Sequence, residues 1–295
     1  HPAILPRLTV RSSHMHLCLV PMSFKDLGLS PELLKALKPK TYPAPTPVQL
    51  ELIPGVLLGR DAWVTAPTGS GKTLAYTLPL IEKLARTFPT ANAHATRSLG
   101  DARNNKLMRT LVLVPTRELA IQVSQLFMSL TAQWGNLCKI TVVFGGVSIN
   151  PQMMGLRGGT DILIATPGRL LDLIDHNALQ LSSVKTLVLD EADKLLELGF
   201  QDELNQILSL LPSQRQSLFL SATRPQSIEV LARSLLRSPL EIQLKGETPQ
   251  PAVIEQRAIL TDTAKRTQLL KHLIKDQNLK QVLVFVKRVE RVGYN

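Results

Sequence analysis

Cysteine and aromatic residues are scarce in this 295-residue chain, and long apolar runs are absent. Only Cys18 and Cys138 occur, far apart in the sequence, and aromatic residues make up 4% of the total. Two cysteines without paired spacing argue against a disulfide framework and a zinc site, and they favour a reducing compartment. The six histidines also lack metal-ligand spacing. No apolar run is long enough to cross a bilayer, so we expect no membrane partner.

Acidic residues are fewer than basic ones: 23 Asp and Glu stand against 34 Lys and Arg, a net charge of +11. An excess of positive charge favours a polyanionic partner, because phosphates release condensed counterions when a protein binds them. A basic surface that only keeps the protein in solution is an equally good interpretation of charge alone. The length allows a sizeable core and one or two domains.

Composition divides the chain into four stretches. They are a disordered or artificial extension at 1–21, an α/β domain at 22–244, a linker at 245–252, and the start of a second α/β domain at 253–295. The second domain is predicted to begin with a strand at 253–260, a helix at 263–275 and a buried strand at 282–286. A complete second domain would need roughly another hundred residues, so we expect it to be incomplete.

Six short apolar runs in the first domain predict strands, with helical patterns between them. They are 62–65, 111–114, 140–143, 161–165, 186–189 and 217–220. Such a pattern predicts a mostly parallel sheet with helices on both faces, a three-layer domain. Polar clusters follow the strands at their carboxyl ends, the edge where open α/β sheets bind ligands. The polar, Arg-rich stretch 87–109 is predicted to be a flexible surface insertion.

A glycine-rich loop follows the first predicted strand. It reads Ala66-Pro67-Thr68-Gly69-Ser70-Gly71-Lys72-Thr73 and leads into a helical pattern. Strand, loop and helix in this order predict a P-loop, whose backbone N–H groups and helix start bind phosphates. We expect Lys72 to contact the outer phosphates and Thr73 to ligate Mg²⁺. Ala66 replaces the usual first glycine, so a purely structural glycine turn is the alternative.

The acidic run Asp190-Glu191-Ala192-Asp193 follows the fifth predicted strand. A carboxylate at position 190 can hold Mg²⁺, and Glu191 can orient and deprotonate an attacking water. Asp193 is predicted to bond the hydroxyls of Ser221 and Thr223, which follow the sixth strand. The alternative is an acidic run that only caps a helix.

A proline-rich stretch, 42–48, precedes Gln49. Prolines restrict the backbone and so fix the direction of the Gln49 side chain. Its amide offers a donor and an acceptor that match the N6/N7 edge of adenine, and Phe24 can stack on the same base. The alternative is a connector with a surface Gln and a core Phe.

Taken together, these motifs resemble those of the DEAD-box ATP-dependent RNA helicases. The acidic run at 190–193 spells the family's name, and the loop at 66–73 is similar to its motif I, which begins with Ala. The other resemblances are Phe24 with 45–49 to the Q motif, 115–120 to motif Ia, Gly145-Gly146 to the GG motif, 166–169 to motif Ib and 221–223 to motif III. The resemblance covers about residues 24–285.

The resemblance implies a RecA-like P-loop domain that binds ATP, Mg²⁺ and RNA and couples hydrolysis to local RNA unwinding. It implies these nucleotide-site residues: Phe24 and Gln49 for adenine, Ala66, Thr68, Gly69, Ser70, Gly71, Lys72 and Thr73 for phosphates, Thr73 and Asp190 for Mg²⁺, and Glu191 as general base. Asp193, Ser221 and Thr223 would link hydrolysis to unwinding. The RNA backbone would lie along Pro115, Thr116, Arg117, Gly145, Gly146, Thr166 and Arg169, without base readout.

Nothing after Val286 resembles the RNA-binding threonine motif or the arginine fingers of the family's second domain. We therefore expect this chain alone to bind ATP weakly and to hydrolyse it slowly. A monomer in the cytoplasm, in a ribosome-assembly or RNA-turnover setting, is the expected context. A non-catalytic RNA- or protein-interaction module and a DNA translocase on the same fold are the alternatives.

Overall fold

The computed structural model describes residues 23–37, 42–87, 108–244 and 257–285. The described residues belong to two units, 23–244 and 257–285. The predicted extension at 1–21, the linker at 245–252 and nearly all of the insertion at 87–109 lie outside the described residues.

The first unit is built on a seven-stranded sheet. Its strands are β1 (Ala62–Thr65), β2 (Thr110–Leu113), β3 (Ile140–Val143), β4 (Ile162–Ala165), β5 (Thr186–Leu189), β6 (Gln216–Ser221) and β7 (Leu240–Gln243). All neighbours pair in parallel, in the order β3-β4-β2-β5-β6-β1-β7. The six predicted strands and the α/β class are confirmed. β7 was not predicted, because only Ile242 among its side chains is buried.

Helices connect the strands. They are α1 (Pro31–Leu37), α2 (Pro47–Leu57), α3 (Lys72–Ala85), α4 (Arg117–Thr131), α5 (Ile149–Leu156), α6 (Pro167–Asp175), α7 (Ala192–Glu197), α8 (Gln201–Leu210) and α9 (Gln226–Leu235). Two short 3₁₀ helices, Phe24–Leu27 and Ala132–Leu137, add to them. Local chemistry explains several helix starts: Ser30 Oγ accepts the Leu33 N–H at 3.4 Å, and Pro47 occupies the first turn of α2.

Two apolar cores lie against the sheet, one on each face. Successive residues of β6 show the division, since Leu218 and Leu220 belong to one core and Phe219 to the other. Period-two alternation of side chains along a strand produces this arrangement, and burial on both faces explains the continuous apolar runs. Trp63 also belongs to the second core. Its ring packs edge-on against that of Phe219, with 6.5 Å between the ring centroids.

The second unit differs from its prediction. Its described residues form a 3₁₀ turn, Thr263–Lys265, and the helix α10, Arg266–Asp276, as expected for 263–275. The predicted strands are wrong where the chain is described, since 257–260 and 282–285 are not in strands. Leu260 and Phe285 are 103% and 88% exposed. A strand needs a hydrogen-bonded neighbour, and the described part of this unit contains none.

Candidate functional site

The predicted motifs meet at one edge of the sheet. The first residue of the glycine-rich loop, Ala66, donates its N–H to Ser221 O at 3.1 Å, and Asp190 N donates to Leu113 O at 3.0 Å. Strand order therefore places three motifs after β5, β6 and β1, and three others after β3, β4 and β2. We call the loops after β5, β6 and β1 the nucleotide half of this edge and the loops after β3, β4 and β2 its RNA half, according to their predicted roles.

The glycine-rich loop turns at two glycines with left-handed backbones. Gly69 has φ 80° and Gly71 has φ 90°, and this backbone conformation favours glycine at both positions. Space at Gly71 is also restricted, since a Cβ there would lie 2.5 Å from Gln49 Nε2, whereas Gly69 has open space around it. Gly71 precedes Lys72, the first residue of α3, so the positive end of the helix dipole faces the loop.

Lys72 is buried beneath the loop and bonded to it. Its Nζ donates to Ala66 O and, at 3.0 Å, to Pro67 O. Burial lowers the pKa of Lys72, and the carboxylates of Asp190, Asp193 and Glu191 oppose that shift. The ammonium group therefore lies within electrostatic range of the acidic run, as the P-loop prediction requires.

Asp190 is buried at the end of β5 with both carboxylate oxygens bonded. Oδ2 accepts the Tyr76 hydroxyl at 2.8 Å, and Oδ1 accepts the Glu191 N–H at 3.0 Å. Burial raises the pKa of Asp190 to about 6, although the Tyr76 hydrogen bond lowers it. The carboxylate thus has a fixed orientation on the nucleotide half.

Tyr76 is a site residue that the sequence analysis missed. It is fully buried on α3, one turn after Lys72, and its ring lies 6.4 Å from that of Phe127. Burial raises the pKa of its hydroxyl well above 10, with a further contribution from Asp190. The helical spacing of Lys72 and Tyr76 was the available signal, but an aromatic residue in an apolar helix is usually part of the core.

Glu191 has a left-handed backbone, with φ 49° and ψ 51°. Such a conformation is uncommon for a residue with a side chain, and it concentrates at functional sites. The residue is half-buried and directly precedes α7. Its backbone therefore turns sharply between the buried strand and the helix, at the position predicted for the general base.

Asp193 joins the acidic run to the loop after β6. Its Oδ2 accepts the N–H groups of Ala222 at 3.1 Å and Thr223 at 2.9 Å, and the Thr223 hydroxyl at 2.8 Å. The predicted bond to Ser221 is wrong: the hydroxyl of this fully buried serine has no hydrogen-bond partner among the described residues. Ser221 is the last residue of β6, and its main chain pairs with Thr65 of β1.

Gln49 is buried and aimed at the glycine-rich loop. Its Oε1 accepts the Thr46 N–H at 2.9 Å, and its Nε2 donates to Gly71 O at 3.2 Å. The oxygen and the nitrogen of the amide thus both have hydrogen-bond partners. The alternative interpretation, in which Gln49 lies on the surface, is therefore wrong. Phe24 is buried in the apolar core shared with Val48 and is not an exposed stacking surface.

On the RNA half, Thr116 and Arg117 begin α4. Thr116 Oγ1 accepts the Leu119 N–H at 3.2 Å as the helix cap. Arg117 is exposed, with its guanidinium 5.6 Å from the centroid of the Phe144 ring. Pro115 is buried. Arg117 is therefore the side chain of this motif that solvent, or a phosphate, can reach.

The loops after β3 and β4 support each other. Gly145 N donates to Thr166 Oγ1 at 3.3 Å, and the exposed Gly146 has φ 80°. Arg169 is only 8% exposed, and its Nη2 donates to Val147 O at 2.7 Å. Arg169 therefore holds the Gly145-Gly146 loop in place rather than projecting toward solvent.

The donor set on the nucleotide half fits a hard cation that also binds phosphates. Thr73 offers a hydroxyl and Asp190 a carboxylate, and Mg²⁺ is usually held by one or two carboxylates together with phosphate oxygens and water. In the described ranges, no group of three or more His, Cys, Asp or Glu residues could form an all-protein metal cage. No helix in those ranges has the length and apolar character needed to cross a membrane.

Comparison with known proteins agrees with this geometry. Residues 46–231 match the sequence model of the DEAD/DEAH box helicase family. The chain is 35% identical over 265 residues to the DEAD-box ATP-dependent RNA helicase RhpA of Helicobacter pylori, covering 90% of this chain and 50% of that protein. It is 38% identical over 257 residues to the mitochondrial DEAD-box ATP-dependent RNA helicase 9 of Arabidopsis thaliana, covering 86% and 40%.

A third relative is the ATP-dependent RNA helicase dbp10 of Schizosaccharomyces pombe, 37% identical over 254 residues, with 86% of this chain and 28% of that protein covered. The chain thus spans half or less of the length of these relatives. The matched region contains the glycine-rich loop, the acidic run and the loop after β6. With its motifs assembled on one edge of a parallel sheet, the chain belongs to the DEAD/DEAH box helicase family.

Proposed function

We propose that this chain carries the ATP-binding part of an ATP-dependent RNA helicase. It binds ATP with Mg²⁺ on the nucleotide half of the sheet edge and the backbone of one RNA strand on the RNA half. It couples ATP hydrolysis to local separation of an RNA duplex. The supporting observation is that β2 and β5 are neighbours, so the two halves adjoin on one edge of the sheet.

The nucleotide half provides groups suited to a triphosphate. The loop N–H groups and the start of α3 offer donors and positive potential, and Lys72 exchanges its loop carbonyl partners for phosphate oxygens. Thr73 and Asp190 hold Mg²⁺, which neutralises phosphate charge. Glu191 orients the attacking water and accepts its proton.

The RNA half provides backbone contacts without base readout. The exposed main chain of Gly146 and the guanidinium of Arg117 bind sugar–phosphate oxygens, while Gly145, bonded to Thr166, holds the loop that presents them. Recognition of 2′-hydroxyl groups favours RNA over DNA. The three hydrogen bonds to Asp193 transmit changes at the acidic run to the loop at 222–223. A monomeric state, a cytoplasmic location and a ribosome-assembly setting stay predictions from the sequence.

Calorimetric titration of the 295-residue chain tests this proposal. We expect ATP to bind more tightly than GTP, Mg²⁺ to strengthen ATP binding, and single-stranded RNA to bind more tightly than DNA of the same sequence. Gln49→Ala should equalise ATP and GTP, while Gln206→Ala, on the exposed side of α8, should not. Equal affinity for ATP and GTP, or tighter binding of DNA, would overturn the proposal.

Hydrolysis is a separate measurement. We expect slow phosphate release by the 295-residue chain with RNA present, since arginine fingers supply about 10³–10⁵ in rate in related phosphoryl transfers. Robust RNA-stimulated hydrolysis that Glu191→Gln abolishes would contradict the expected low activity but support the assigned base.

A further inference from the structure

Basic residues line the opposite edge of the sheet, where the strands begin. Arg109, Lys185 and Arg215 immediately precede β2, β5 and β6. Arg60 precedes β1 by two positions, and Arg237 precedes β7 by three. We call these five residues the basic rim, and they follow one another along the sheet in the order β2, β5, β6, β1, β7.

Hydrogen bonds fix the main chain of the basic rim residues side by side. Lys185 N donates to Arg109 O at 2.8 Å, and Gln216 N donates to Lys185 O at 2.9 Å. The Gln216 side chain then bridges to the next strand, with Nε2 donating to Arg60 O at 2.6 Å. Since neighbouring strands lie about 4.8 Å apart, the five positions extend along roughly 20 Å.

The carboxylates at this edge bond main-chain N–H groups rather than the side chains of the basic rim. Asp61 is buried, and its two oxygens accept the main-chain N–H groups of Ser217 and Arg237, both at 2.8 Å. Asp161, before β4, likewise accepts the Lys139 N–H at 2.8 Å. Among the described residues, no ion pair joins a basic rim side chain to an acid.

The basic rim is accessible and partly under mutual repulsion. Arg60, Lys185 and Arg237 are exposed. Arg215 is half-buried, and its Nη1 donates to Pro212 O at 2.7 Å. Burial lowers the pKa of Arg215, the positive charge of Arg237 lowers it further, and the carboxylate of Asp61 partly opposes both effects. A bound anion would relieve this repulsion between neighbouring guanidinium groups.

We propose that the basic rim is a second RNA-binding surface, which contacts phosphates of the RNA backbone without reading sequence. It goes beyond the proposed function, since it lies across the sheet from the RNA half. Strands of four residues separate the two edges by about 13 Å. Phosphate backbone is the favoured partner because the basic rim is a linear row of five cations, with no ion pair to an acid in the described residues, on a chain of net charge +11.

A structural role for these cations is the competing explanation. In strand–helix–strand units the helices run back across the sheet, so their carboxyl ends, which carry partial negative charge, lie at the same edge. Cations there stabilise helices without binding a partner. That role predicts loss of thermal stability on charge reversal and no change in RNA affinity.

The test compares two triple variants of the 295-residue chain with the same change in net charge. The basic rim variant is Arg60→Glu, Lys185→Glu, Arg237→Glu. The control is Lys35→Glu, Lys271→Glu, Lys275→Glu, three exposed lysines on α1 and α10. Fluorescence anisotropy measures the affinity for a labelled single-stranded RNA between about 50 and 200 mM salt, and thermal unfolding and MgATP affinity are measured alongside.

We expect the basic rim variant to bind RNA at least about tenfold more weakly than the control. The slope of log affinity against log salt concentration should fall in magnitude by about 2, because each of the three lost phosphate contacts contributes ~0.7. MgATP affinity should match the control. Equal RNA affinity and salt slope in both variants would overturn the proposal, whether or not the melting temperature falls. The same two variants are also titrated with polyglutamate, which stands for an acidic protein partner. If the basic rim variant loses polyglutamate binding while its RNA binding equals that of the control, the proposal is also overturned.

Failure of this proposal is distinguishable from failure of the proposed function. If Arg117→Ala weakens RNA binding while the basic rim variant behaves like its control, only the second surface is disproved. If the unmodified chain does not bind RNA at all, both proposals fail.

Discussion

The hydroxyl of Tyr76 donates a 2.8 Å hydrogen bond to Oδ2 of Asp190, and both side chains are buried. The bond joins the helix that begins at Lys72 to the strand that ends at the acidic run. It occupies one oxygen of the carboxylate that we assign to Mg²⁺. The orientation of Asp190 therefore depends on a residue of the P-loop helix.

Tyr76→Phe should weaken binding of MgATP, because Asp190 loses the hydroxyl that orients its carboxylate and lowers its pKa, so a proton competes more strongly with Mg²⁺. The ring and its packing on Phe127 are kept. Calorimetric titration with and without Mg²⁺ measures the effect. Binding of ATP in the presence of a chelator should be unchanged, and an equal loss with and without Mg²⁺ would contradict the assigned role.

Burial of Asp190 gives the protein a pH-dependent stability. Its pKa rises from the ordinary 3.8 to about 6, so the folded state is penalised for the charged carboxylate above pH 6. That cost, of order 3 kcal/mol, disappears as the pH falls toward 4. Asp190→Asn should therefore raise the melting temperature above pH 6, and its advantage should shrink on acidification.

Thermal unfolding by circular dichroism across this range, without nucleotide or Mg²⁺, measures the difference between Asp190→Asn and the unmodified chain. Glu118→Gln, which changes an exposed carboxylate of α4, is the matched control and should show no such trend. An advantage that grows as the pH falls would contradict the raised pKa.

Removing the Thr223 hydroxyl should matter more than removing that of Ser221. Thr223→Val deletes a hydrogen bond to Asp193 and should cost about 1 kcal/mol of unfolding free energy. Ser221→Ala removes a buried hydroxyl without a described partner, so its effect should be close to zero. Urea denaturation compares the two variants, and a larger cost for Ser221→Ala would contradict the geometry.

Arg169→Ala should destabilise the Gly145-Gly146 loop in the absence of RNA. The change removes the hydrogen bond to Val147 O and leaves a buried space, so faster hydrogen exchange in the loop is expected. Arg117→Ala removes a contact with the Phe144 ring but no described hydrogen bond of the loop, so it should change that exchange rate much less than Arg169→Ala while reducing RNA affinity. Unchanged exchange in Arg169→Ala would contradict the positioning role.

Sequence reasoning predicted six strands of the sheet, including the edge strand β3, but it missed β7 and assigned strands wrongly in the second unit. Strands buried on both faces are continuous apolar runs, which explains why the β5 prediction has the observed bounds, Thr186–Leu189. β7 was missed because a partly exposed edge strand lacks such a run. The strands predicted near Leu260 and Phe285 were wrong because an apolar run becomes a strand only beside a pairing neighbour.

Within the site, motif spelling located the residues but not their environments. The acidic run and the glycine-rich loop were found because polar clusters at strand ends are visible in sequence. The predicted bond between Asp193 and the Thr223 hydroxyl is confirmed. Burial of Arg169 and Phe24, and the bond from Ala222 N to Asp193, depend on contacts between distant segments. Tyr76 was missed for the same reason, since its partner Asp190 lies 114 positions away.

Strand order also has a consequence for synthesis on the ribosome. In the described part of the chain β1 pairs with β6 and β7 alone, and the contact between Asp61 and Ser217 joins residues 156 positions apart. At about 5–20 residues per second, β1 and the loop it carries wait roughly 8 to 30 s for their neighbours to be translated. Until then Trp63 and Val64, which are buried in the folded protein, lack the neighbouring strands that pair with them.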